Sequence, residues 1–290
     1  MKDVLILGGT RFVGKKLVSL LLTKGYRVTI GTRGTTPDSF DGSVKRLTLD
    51  RADFQSLEEA VGSSEWDIVY DQICYTPESA SYACRLLENK AERYIVTSSQ
   101  SVYDFLDKEL SESDFDPYSY SVTGHGNDLS YSEGKRLVEA VLFQQAKFPV
   151  CAVRFPIILG TDDYTKRLQF HIERIRDGIP IGVPNMDARI SFIDSDEAAS
   201  FLVWLGDKDL QGPINACSSG SISIRELLAA IEQEVGKEAQ TLEQSEEQNR
   251  SPFGIPSSWH MTNGRAEQAG YQFRSLNSWL PKLIRELCSF

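Results

Sequence analysis

The chain has 290 residues, 41% hydrophobic and 25% charged, with a formal net charge of -10 and a pI near 5.0. That is the composition of an ordinary soluble globular protein, and its length fits one large α/β domain, alone or with a smaller appendage. The acidic balance argues against nucleic acid or an anionic membrane as the main partner.

Five cysteines (Cys74, Cys84, Cys151, Cys217, Cys288) form no CxxC pair and are odd in number, which fits a reducing cytoplasm. The apolar run in MKDVLILGG is too short for a signal peptide, and no stretch approaches the roughly 18 apolar residues of a membrane span. The expectation is a soluble, cytoplasmic protein without a membrane partner.

In chain order, VLIL (4–7) is the first expected strand. LGGTRFVG (7–14) follows, then a helical pattern over 13–24 that Gly25 ends. RVTI (27–30), VKRLTL (44–49), DIVY (67–70), RYIV (93–96) and VCAVRF (150–155) read as further strands, with helices over 54–62, 78–89 and 131–146. This alternation predicts an α/β fold built on a doubly wound parallel Rossmann sheet with right-handed crossovers. After about residue 155 the pattern loosens into a helix near 165–177, a turn-rich GIPIGVPN, a strand-like ISFI (190–193) that could return to the sheet, and helical stretches over 195–205, 222–235 and 275–287. The expected organisation is a dinucleotide-binding domain over 1–155 plus about 190–217. Residues 156–189 and 218–290 would form a small substrate-binding part capping the strand ends, where open α/β sheets bind ligands.

A strand, a glycine turn and a helix form the context of a dinucleotide fingerprint. Gly8 permits the tight turn, Gly14 allows close helix packing, and free N–H groups point at a pyrophosphate. The candidate cofactor loop is Gly8, Gly9, Thr10, Arg11, Phe12, Val13 and Gly14. Arg11 is awkward: its Cβ should crowd the pyrophosphate, although its guanidinium could pair with a phosphate bidentately. The second strand runs into Thr32 and Arg33, with no acid to meet an adenosine ribose, which favours NADP and leaves NAD open. A plain solvated arginine is the rival reading of Arg33. Asp50 is placed either to meet the adenine edge or to cap the next helix.

VTSSQSVYD (96–104) and YSEGK (131–135) carry the chemistry. Tyr131 and Lys135 share one helix face, and an ammonium beside a phenol favours phenolate. Such a tyrosine can exchange a proton with a substrate alcohol or carbonyl while hydride moves to or from nicotinamide. Ser99, ending the fifth strand, could bond the same oxygen.

Taken together, the chain resembles the short-chain dehydrogenase/reductase superfamily, in its extended, nucleotide-sugar epimerase/dehydratase branch. LGGTRFVG, TSSQSVY, YSEGK, VRFPIILG and RISFIDSDEAA carry the likeness over nearly the whole length. The resemblance implies a catalytic triad of Ser99, Tyr131 and Lys135, with Lys135 also holding the nicotinamide ribose. It implies that Arg189 grips a nucleotide diphosphate and that a homodimer forms through the helix of Tyr131. Arg11 replaces the usual family glycine, as in an atypical subgroup carrying GGTRF or GGTKF that includes chloroplast RNA-binding members. Sugar 4,6-dehydratases have an Asp-Glu pair after the catalytic hydroxyl residue; Gln100 and Ser101 stand there, which counts against dehydration. DQICYTPES is not the family's small-residue turn, so Cys74 or Tyr75 is expected near the nicotinamide.

The expected activity is that of an NAD(P)-dependent epimerase or oxidoreductase on a nucleotide sugar. The alternatives are an NADPH carbonyl reductase on a non-sugar substrate, or a relative that has lost catalysis and binds a nucleotide or RNA. His125 reads as a solvated loop residue or a substrate contact. His171 and His260 have no metal-ligand spacing, so no metal is expected. Phe253, Pro256 and Trp259 could wall a pocket or simply pack. The long polar run 104–130 reads as a lid.

Overall fold

The structure, a computed structural model, describes residues 1–123 and 128–289. His125 lies outside the described residues. Contacts divide the chain into two compact units: Met1–Tyr103 with Glu112–Phe155 and Ala198–Ala216, and Asp104–Ser111 with Pro156–Glu197 and Cys217–Phe290.

The first unit alternates strand and helix: β1 (Asp3–Leu7), α1 (Phe12–Thr23), β2 (Arg27–Thr32), β3 (Lys45–Thr48), α2 (Phe54–Val61), β4 (Ile68–Asp71), α3 (Pro77–Leu86), β5 (Tyr94–Ser99) and α4 (Tyr131–Gln145). With the strands Val150–Phe155 and Gly212–Asn215 they build a seven-stranded sheet, ordered Gly212–Asn215, Val150–Phe155, β5, β4, β1, β2, β3. Every pairing in it is parallel. Sequence order reverses beside β1, the switch point at which such sheets bind ligands. β4 and Val150–Phe155 are buried at every residue, as expected of strands covered on both faces. On one face Leu5, Leu7, Val69, Val96 and Ala152 pack with Ala80 and Ala83 of α3 and Val138 and Val141 of α4. Gly25, at φ +80°, turns the chain out of α1.

The seventh strand is Gly212–Asn215, not ISFI. The latter is broken into Arg189–Ile190, paired antiparallel with Ile222–Ser223, and Phe192–Asp194, paired parallel with Ile157–Leu159. GPIN is short and holds a glycine and a proline, so its composition conceals a strand.

In the second unit the helices Arg167–Asp177, Ile224–Val235 and Leu276–Cys288 share a core that includes Leu168, Ile172, Leu228, Ile231, Trp279 and Leu283. His171 is completely buried there. Its Nδ1 bonds the Arg167 carbonyl at 2.8 Å and must donate; Nε2, 2.7 Å from Ser251 Oγ, accepts the hydroxyl proton. Burial pulls the imidazole down to about 4. Between about pH 6.5 and 4 the unfolded chain binds a proton that the native state refuses. Stability therefore falls with pH across that window, by at most about 1.4 kcal/mol per unit. Thermal midpoints of His171→Leu should vary less steeply with pH there than those of the wild type; equal slopes would refute the assignment.

Candidate active site

Gly8 and Gly9 hold φ of +102° and +96°, the left-handed region that favours glycine. A Cβ on Gly14 would lie 3.0 Å from both Cα and N of Gly9, main chain against main chain. Arg11 has φ -134° and ψ 152°, extended backbone open to any residue, so its Cβ requires no backbone distortion. The positive φ falls one residue later, on Phe12, at 46°. Arg11 is exposed, Thr10 and Phe12 are half-buried, and Val13 is in the core. The loop packs on the turn after β4: a Cβ on Gly8 would meet Gln72 Cβ at 3.2 Å and Ile73 Cγ2 at 3.3 Å.

Thr32 ends β2, and its Oγ1 accepts from Gly34 N at 3.2 Å; Arg33 beyond it is exposed. Asp50 is exposed and accepts from Ala52 N at 2.9 Å. The cap of α2 is Asp53, bonded to Ser56 N at 2.9 Å, which removes the capping alternative for Asp50.

Tyr131 is the first residue of α4, with Ser130 as its N-cap, and is 57% exposed. Lys135, one turn on, is 1% exposed. Its Nζ donates to Cys74 O at 2.8 Å and to Thr97 O at 2.9 Å. The ammonium lies 5.9 Å from the centre of the Tyr131 ring and 4.6 Å from that of Tyr75, which is half exposed. Burial pulls the Lys135 pKa below its ordinary value, opposed only in part by Cys74 and by the Asp71 and Glu139 carboxylates. Tyr75 is therefore at the candidate lysine; Cys74 reaches it only through its carbonyl, with its thiol buried and raised to about 12 by that burial. Ser99 ends β5 and accepts from Ser101 N at 3.1 Å, capping the short turn Gln100–Val102. A Cβ on Gly134 would lie 2.8 Å from the Tyr75 carbonyl oxygen, so the glycine of YSEGK lets α4 meet the β4 turn.

Three buried polar atoms at these strand ends have no hydrogen-bond partner among the described residues: Gln72 Nε2, Thr97 Oγ1 and Ser101 Oγ. Buried polar atoms are normally satisfied, so an unmet set next to the glycine loop and the lysine fits a polar ligand. A dinucleotide, with ribose hydroxyls and a pyrophosphate, has that chemistry.

Two buried ionic networks escape the sequence patterns. Glu139 and Arg154, both fully buried, bond at 2.6 Å and 3.0 Å. Ser98 Oγ donates to Glu139 at 2.5 Å, and Arg154 donates to Tyr103 Oη and to the carbonyls of Glu112 and Phe115. Part of the run 104–130 is tied down: Glu112 and Phe115 are bonded to Arg154, and Glu109–Leu110 pairs with His260–Met261 in the second unit. The other network joins Arg51, Asp71 and Tyr94. A glutamate four residues past Lys135 on the same face was the one available signal for the first.

In the second unit, Arg189 donates to Ser221 Oγ at 2.9 Å and to Ser221 O at 2.5 Å, with Glu226 at 3.4 Å. Phe253 is fully buried and stacks on His171 at 4.6 Å, which is packing. Trp259 is partly buried against Phe105 at 5.1 Å, and Pro256 O accepts from Asn185 Nδ2. Among the described residues no cluster of His, Cys, Asp or Glu could hold a metal ion, and no helix is long and apolar enough to cross a membrane.

Residues 4–217 match the model of the NAD dependent epimerase/dehydratase family, and the chain belongs to that family. Solved structures at 14–15% identity share its fold. The chain is 32% identical over 225 residues to the chloroplast stem-loop binding protein of 41 kDa b of Arabidopsis thaliana, covering 71% of this chain and 56% of that longer relative. UDP-glucose 4-epimerase of Thermus thermophilus, solved with NAD, superposes with a TM-score of 0.70 at 15% identity over 99% of this chain and 98% of that one. WbmG of Bordetella bronchiseptica, solved with NAD and UDP, gives 0.78 at 14% identity over 99% and 93%.

Proposed function

We propose that the protein is a nicotinamide-dinucleotide-dependent oxidoreductase of the epimerase type acting on a nucleotide sugar. The observation that carries this reading is Lys135, an ammonium buried at the end of β5 and close to Tyr131, on the sheet end that also bears the glycine loop. In this reading the loop from Gly8 to Gly14 receives the pyrophosphate, and Gln72 Nε2 and Thr97 Oγ1 are free to meet ribose or phosphate oxygens. A bound nicotinamide supplies a hydride acceptor and donor. Tyr131 takes the proton from a sugar hydroxyl and later returns it, Lys135 favours the phenolate, and Ser99 Oγ holds the oxygen. For an epimerase, the transient keto-sugar turns over and is reduced on its other face.

The NAD in the Thermus structure and the NAD and UDP in the Bordetella one support the cofactor and substrate classes. Preference for NADP rests on Thr32 and exposed Arg33, with no acid ending β2. Arg189 is the proposed diphosphate grip, shared with Glu226. The absence of an acid pair at Gln100-Ser101 favours an epimerase or a carbonyl reductase over a dehydratase. Thermal-shift titration with NAD, NADP and a panel of nucleotide sugars tests the reading. A ligand at one hundred times its Kd should add about 2.7 kcal/mol of stability. No shift with either dinucleotide would overturn it. The Arabidopsis relative's name favours a second reading, binding of a nucleic-acid stem-loop. The net charge of -10 opposes it, and salt-dependent binding of a stem-loop RNA at physiological ionic strength would revive it.

A further inference from the structure

The Arg51 network lies at the turn that holds the candidate lysine. Arg51 follows β3 and is 5% exposed; Asp71, which ends β4, and Tyr94, which starts β5, are fully buried. Arg51 donates to Asp71 Oδ2 through Nε at 2.8 Å and Nη2 at 2.7 Å, and to Ser79 O through Nη1 at 2.7 Å. Its Nη2 also lies 3.6 Å from Cys74 Sγ. Asp71 Oδ2 accepts from Tyr94 Oη at 2.5 Å, and Oδ1 accepts from Ile73 N at 3.0 Å. The contacts at Ile73, Cys74 and Ser79 pin the chain on both sides of Tyr75.

That turn is what α4 meets. The Cys74 carbonyl takes the Lys135 ammonium, the Tyr75 ring lies against it, and the Tyr75 carbonyl abuts Gly134. Stability alone does not account for an ion pair here, because a well-packed apolar pair of similar volume commonly serves a core as well or better. We infer that Arg51 and Asp71 are positioning residues for Lys135, fixing the main-chain turn that holds its ammonium beside Tyr131. The inference rests on the reading of Tyr131 and Lys135 as an acid–base pair. The groups facing the ammonium are Asp71, Cys74 and Tyr75 from the β4 side, and Tyr131 and Glu139 from its own helix.

The test is tyrosinate absorbance of the full chain against pH, with Tyr131→Phe subtracted so that Tyr131 alone is read. In the double variant Arg51→Met/Asp71→Leu the Tyr131 ionisation should move up by about one pH unit, a tenfold loss of phenolate at neutral pH. Arg51→Lys, which keeps the charge, should fall between that variant and the wild type. A folded double variant whose Tyr131 titrates as in the wild type would overturn the inference. Should the double variant not fold, Asp71→Asn keeps the shape and is read for the same two outcomes. Lys135→Met is the reference: if it leaves Tyr131 unmoved, the acid–base reading fails and the inference with it. Dinucleotide binding is not part of this readout, so its failure would sink the proposed function alone.

Discussion

Replacing Tyr131 by phenylalanine is expected to lower turnover of the true substrate by about 10²- to 10⁴-fold, the usual range for a positioned acid–base group. The ring remains at the start of α4, more than half exposed, so the fold and the glycine loop are left in place. Dinucleotide binding, read by thermal shift, should persist with its affinity little changed. The loss should appear in kcat rather than in KM, because a proton transfer is stronger in the transition state than in the ground state. Retention of a tenth or more of the wild-type turnover would remove Tyr131 from the chemistry.

The largest expected effect on stability comes from Glu139. Its carboxylate lies in a fully buried network with Arg154 and Ser98, on the face of α4 that also carries Lys135. Glu139→Leu would leave the buried Arg154 guanidinium hydrogen-bonded, among the described residues, to the neutral Tyr103 and two main-chain carbonyls. Removing one member of a buried pair costs about 3–5 kcal/mol. Urea unfolding should show that loss, and the double variant Glu139→Leu/Arg154→Met should recover much of it. A single-variant loss below about 1 kcal/mol would mean that the pair is not desolvated as the structure has it.

Much of this arrangement was legible in the sequence where local chemistry and secondary-structure period agree. VLIL before two glycines and a helical run after them announce the loop, and YSEGK puts a tyrosine and a lysine on one face without any tertiary information. The misplaced features are those set by backbone angles or by distant partners. Arg11 stands where the family has glycine, and only the structure shows that its backbone is extended and that the positive φ falls on Phe12. Asp50 reads from sequence as a possible cap of the next helix, and only the hydrogen bond from Ser56 N gives that role to Asp53. Arg51 and Asp71 are twenty residues apart, and LDRAD looks like any solvated turn until parallel pairing brings the ends of β3 and β4 into one sheet. Gly212–Asn215 lacks a β-branched run, so its strand identity comes from its neighbour Val150–Phe155.

Lys135 illustrates what the two main-chain bonds to its ammonium mean. A lysine side chain in water samples many rotamers, and immobilising one costs up to about 2 kcal/mol of conformational entropy. Here the carbonyls of Cys74 and Thr97 anchor the tip and the core encloses the stem. The disorder is given up when the chain folds, so under the proposed function a ligand beside Tyr131 would meet a charge already at rest.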